Sequence, residues 1–62
     1  MSAVIVELGN ELLHRCSFIP CANFATAFYV AEKVRSGEST EDEAETDISK
    51  FMGNTWFVAL LN

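Results

Sequence analysis

The chain reads as an α+β fold: a small two-layer domain of order β-β-α-α-β, in which a three-stranded antiparallel sheet carries two helices on one face. Three observations predict it. Apolar runs rich in β-branched or aromatic residues lie at 2–8 and 55–61, as strands require. The middle of the chain changes to a helical period, and Thr40-Glu41-Asp42-Glu43 has the form of a helix capping box. With 62 residues there is room for a single domain, residues 1–62, and a chain of this size buries only about 60% of its unfolded surface.

The first strand, Ser2 to Leu8, stops at Gly9-Asn10. Glycine at the first central position suits a type II′ turn, so residues 11–19 are expected to return as the second strand of a hairpin. A rival reading makes Asn10 an N-cap and Glu11 to Cys16 a short helix. The strand is favoured because a single helical turn is marginal alone, and because Pro20 pushes Ile19 out of the α region.

From about 21 to 35, Phe24, Ala27, Phe28, Val30, Ala31 and Val34 share one arc at helical spacing, opposite Thr26 and Lys33. Lys33 and Arg35 occupy the last turn, where cations favour the helix dipole, and Gly37 supplies the stop. A second helix is expected over about 41–52. The box places its start, Lys50 and Gly53 mark its end, and Ala44, Ile48, Phe51 and Met52 form its stripe. The competing idea, a hairpin around Gly53-Asn54, is disfavoured because the acidic stretch before it is poor strand material.

The last strand puts Trp56, Val58 and Leu60 on one side and Phe57, Ala59 and Leu61 on the other. Both sides are apolar, whereas a strand with one wet face alternates. Two helices on one face leave the other bare, so the expectation is that a second molecule covers it. Tyr29, off the apolar arc of the first helix, joins Trp56, Val58 and Leu60 as an expected partner-binding residue, because aromatic residues dominate interface energetics.

Charge gives the other expectation. The formal net charge is −5, and Glu38, Glu41, Asp42, Glu43, Glu45 and Asp47 put six of nine acids between 38 and 47. A solvated helix surface explains this blandly; Glu41, Asp42, Glu43 and Glu45 are also the residues expected to steer a basic partner. Direct nucleic-acid binding is disfavoured, since Arg15, Lys33, Arg35 and Lys50 are the only residues able to neutralise phosphate, and they are scattered.

Enzymatic chemistry finds little material. His14, Cys16 and Cys21 are three soft ligands at a spacing that matches no common zinc finger, and structural zinc takes four; no metal and no cofactor is expected. A Cys16–Cys21 disulfide would close too short a loop to remove much chain entropy, so reduced cysteines in a cytoplasmic protein are expected. The three glycines are too dispersed to cradle phosphate. Ala22 to Ala31, the best apolar stretch, is ten residues long, against about 20 needed to cross a bilayer, and the N-terminus lacks the layout of a secretory signal.

In size and charge the chain is similar to the stand-alone acidic polypeptides with which phages and mobile elements block host enzymes. That resemblance implies a non-catalytic protein-binding module that inhibits or modulates a larger protein or enzyme complex. Two other readings stand beside it: a DNA mimic acting through an acidic helix, and a structural homodimer subunit.

Overall fold

The computed structural model describes residues 2–38 and 41–61. Its sheet has three strands, β1 (Ser2–Glu7), β2 (Ser17–Cys21) and β3 (Trp56–Leu61), in the order β1-β3-β2. Both outer strands run antiparallel to β3, with Ile5 and Ile19 each opposite Val58. The sheet is the expected antiparallel one, but β1 and β2 are not a hairpin, because β3 lies between them.

The reason lies in the turn after β1. Asn10 N–H donates to the Glu7 carbonyl at 3.1 Å, and Gly9 takes a φ of +98°. The positive φ therefore falls on the third residue of the turn, as in type II, and not on the second as in type II′. Asn10 then caps a short 3₁₀ helix, Glu11–His14, its side chain accepting the Leu12 N–H at 2.9 Å. The rival reading of this segment is the one the structure adopts.

The helix α1 spans Phe24–Arg35. It starts later than the apolar pattern because Asn23 is its cap, accepting the Thr26 N–H at 2.8 Å. Gly37, with φ +85°, ends it: Gly37 N–H donates to Val34 and Glu38 N–H to Lys33, which is a Schellman closure.

The second expected helix is absent, and among the described residues there is one α-helix rather than two. Residues 41–52 instead form two 3₁₀ helices, Glu41–Glu43 and Ile48–Phe51, on either side of a bridge. There Glu45 N–H donates to the Phe18 carbonyl at 2.7 Å and Phe18 N–H to the Glu45 carbonyl at 2.9 Å. The expected stripe is split by this bridge. Ala44 packs on the core beneath α1, Ile48 and Phe51 pack on the core across the sheet, and Met52 is exposed. A continuous helix cannot place side chains on both faces of one sheet; a chain folded around the β2 edge can. Thr40, the cap of the expected box, lies outside the described residues.

This wrapping also supplies the missing cover. Beneath α1, Val58 packs with Ala3, Ile19, Cys21, Ala27, Ala31 and Val34. On the opposite face, Phe57 and Ala59 pack with Val6, Leu13 and Phe18, and Ile48 and Phe51 close over them. Phe18 meets Phe51 and Phe57 edge to face, with ring centroids 5.9 and 5.6 Å apart, a favoured aromatic geometry. The expectation that a second molecule must cover β3 is thus overturned: the 3₁₀ segments of the same chain cover it.

The last 3₁₀ helix is held by Asp47, whose carboxylate accepts the Ser49 hydroxyl at 2.6 Å and its N–H at 3.0 Å. The Ser49 hydroxyl first, and its N–H second, hold the Asp47 pKa below the ordinary aspartate value. A lowered folded pKa gives stability that is complete above the unfolded value and disappears as pH falls through the folded one. Carbon-13 NMR should show the Asp47 carboxyl titrating lower than a model aspartate, and Ser49→Ala should raise it and weaken the acid dependence of unfolding.

Candidate interaction surface

The helix α1 sits close to the sheet because the residues it buries most completely are small, Ala27 and Ala31 with Val34 beside them. Its larger side chains are displaced to the margins. Phe24, Phe28 and Tyr29 are 49%, 54% and 60% exposed. Tyr29 was expected at the surface; Phe24 and Phe28 were placed on the buried arc and sit at its edge. The sequence signal was the pair of alanines in the middle of that arc, which leaves no depth for a neighbouring phenyl ring.

Trp56 is half-buried and packs against Phe24 at 5.0 Å between centroids and 77° between planes. It therefore supports the aromatic surface more than it projects from it. Val58 is fully buried under α1 and presents no surface in this fold, while Leu60 is partly buried against the same core. Of the four apolar residues expected to bind a partner, Tyr29 stands fully in reach and Trp56 partly so. Lys33 Nζ lies 5.2 Å from the Tyr29 ring centroid and donates to Glu38 Oε1 at 3.2 Å. The Glu38 bond first, then Tyr29, raise the Lys33 pKa.

The acids lie on a wrapped segment and not along one continuous α-helix. Glu41 begins the 3₁₀ helix Glu41–Glu43, Asp42 and Glu43 are exposed, and Glu45 is half-buried in its bridge to Phe18. Burial, and secondarily the charge of Glu43, push the Cys21 thiol pKa up; the antiparallel bridge of Glu45 to Phe18 runs residues 43–44 back along β2 toward Cys21. Cys21 is opposite Trp56 in the sheet, so the acidic segment and the Phe24–Trp56 pair share one end of the molecule.

The soft ligands are not brought together. Cys21 lies in the core beneath α1, whereas His14 lines an open groove across the sheet with Leu8, Leu13, Ile48, Ser49 and Met52. That groove has a volume of about 390 Å³. The sheet separates the Cys21 thiol from the His14 imidazole, and among the described residues no three His, Cys, Asp or Glu side chains converge as metal ligands. Among those residues no helix is long and apolar enough to cross a membrane. No family model matches the chain, and neither a curated protein nor a solved structure matches it.

Both cysteines are free, Cys21 buried and Cys16 half-buried. At neutral pH a thiol reagent should label Cys16 first and Cys21 only on the timescale of opening, since reactivity follows thiolate population and access. Mass mapping after partial alkylation reads this directly, and denaturant should equalise the two rates.

Proposed function

We propose that this chain is a non-catalytic, acidic protein-binding module that inhibits or modulates a larger protein or enzyme complex, in the manner of phage and mobile-element antagonists of host enzymes. The observation that carries this reading is the outer surface of α1, where Phe24, Phe28 and Tyr29 are about half or more exposed. Exposing three large rings on one short helix forgoes burial worth about 1.5–3 kcal/mol for a phenylalanine-sized side chain, and aromatic residues of this kind are the usual anchors of protein interfaces.

In this reading Tyr29 and Phe24 enter the partner, with Trp56 packed behind Phe24. Asp42 and Glu43, at the same end, favour a basic rim on the target and speed encounter. The phosphate-mimic alternative loses its main support, because the acids do not lie along one continuous α-helix. A cytoplasmic setting belongs to the same proposal and fits two unpaired cysteines.

The test is affinity capture of a target with the intact chain, followed by binding measurements on the recovered complex. Tyr29→Ala should weaken binding at least about tenfold, the effect of a modest hot spot, while circular dichroism stays unchanged. Reversing Asp42 and Glu43 to lysine should slow association, most strongly at low salt. Unaltered affinity in both Tyr29→Ala and Phe24→Ala would contradict the proposal.

A further inference from the structure

One aromatic ring of α1 already carries a cation. Lys33 Nζ lies 5.2 Å from the Tyr29 ring centroid and donates to Glu38 Oε1 at 3.2 Å, so a ring and a carboxylate hold one positive charge between them. The same two ingredients recur at the first residue of the helix. Glu7 and Trp56 are directly opposite in the sheet. Because Leu8 N–H donates to the Thr55 carbonyl in the next pair, theirs is a non-hydrogen-bonded pair, in which side chains approach most closely. Trp56 packs on the core beneath α1, so Glu7 shares that face. Phe24 stands on Trp56 at 5.0 Å between centroids; Phe24 is 49% exposed, and Glu7 is exposed.

No Lys or Arg of the chain serves this second arrangement. Arg15 pairs with Glu11 at 3.8 Å, Arg35 with Glu32 at 3.1 Å and Lys33 with Glu38. Lys50 follows Asp47 by three residues in the 3₁₀ helix that Asp47 caps, where side chains so spaced eclipse. His14 lies across the sheet. Four of the nine acids are thereby answered, and the formal charge of −5 rests on the other five. Glu7 is one of them. Asp42 and Glu43 are exposed on the segment that the Glu45–Phe18 bridge runs back toward Cys21, on the opposite side of Trp56 from Glu7. The Phe24–Trp56 pair therefore lies between uncompensated negative charges. The positive start of α1 opposes a cation there with about half a charge, and these acids outweigh it.

Resting on the protein-binding role proposed above, we infer that the partner's anchor at this end is an arginine. Its guanidinium lies on the exposed side of Phe24 and forks onto the Glu7 carboxylate, repeating with a foreign cation what Lys33 makes with Tyr29 and Glu38. Arginine suits the place better than lysine, because a planar guanidinium stacks on a ring and offers paired donors to a carboxylate, whereas an ammonium is a compact, strongly hydrated point charge.

NMR titration of the intact chain at low salt with the blocked peptide acetyl-Gly-Arg-Gly-amide reads the site through the indole N–H of Trp56, the chain's one tryptophan. A saturating shift there and at the Phe24 amide is expected, with a weaker one for the lysine peptide and none for the uncharged citrulline peptide. Glu7→Gln should weaken arginine binding about three- to fivefold, the worth of one exposed ion pair, with circular dichroism unchanged; the citrulline comparison decides the matter if the variant misfolds. Citrulline matching arginine, a folded Glu7→Gln chain that binds like the parent, or no saturable shift would each overturn the inference. A captured target whose affinity falls with Tyr29→Ala yet ignores Glu7→Gln would leave the protein-binding role standing and sink the arginine anchor. Saturable arginine binding by a chain that captures no target would support the arginine seat and remove the role.

Discussion

The apolar character of β3 on both faces governs the architecture. A central strand carrying Val58 on one side and Phe57 and Ala59 on the other, all fully buried, obliges the chain to build two half-cores. One α-helix covers the first, leaving only short segments for the second. The chain meets this by folding around the β2 edge at Glu45 and laying Ile48 and Phe51 across the far face. That route costs the acidic segment its helix, because a rigid rod cannot turn the corner, and 3₁₀ turns, used in short pieces, can. The bridge at Phe18 is therefore both the hinge of the wrap and the protection of one sheet edge.

Much of this was legible in the residues and some was not. The strands at both ends and the central helix follow from local periodicity, which their tertiary setting reinforces. The strand order was hidden because Gly9-Asn10 supports two turns that differ by one residue in the position of positive φ, and only the Asn10 cap distinguishes them. The second helix was misread for a related reason: Ala44, Ile48 and Phe51 have helical spacing, but spacing does not reveal that its members serve two different cores. At the candidate surface, Tyr29 was readable from its place off the arc. Val58 was not, since a doubly apolar strand looks the same whether its cover comes from a partner or from its own chain.

Correcting the cover moves the candidate binding surface. The apolar excess is on α1, where small residues bring the helix close to the sheet and leave Phe24, Phe28 and Tyr29 outside. The charge is also redistributed: Asp42 and Glu43 are exposed near one end of the sheet, Glu45 is engaged in a backbone bridge, and Lys33 is tied to Glu38. An aromatic helix beside an acidic corner is the surface on which the proposed recognition of a basic protein partner rests.

The claim on which the rest depends is that the C-terminal strand is sheltered on both sides by its own chain. Two-dimensional nuclear Overhauser spectroscopy of the dilute, isolated protein tests it most directly, through the ring protons of Phe51, Phe18 and Phe57. Strong cross-peaks from Phe51 to Phe18, at an intensity independent of protein concentration, are predicted. Their absence, or their appearance only as concentration rises, would show that residues 48–51 do not close the far face in the single chain and would contradict the account.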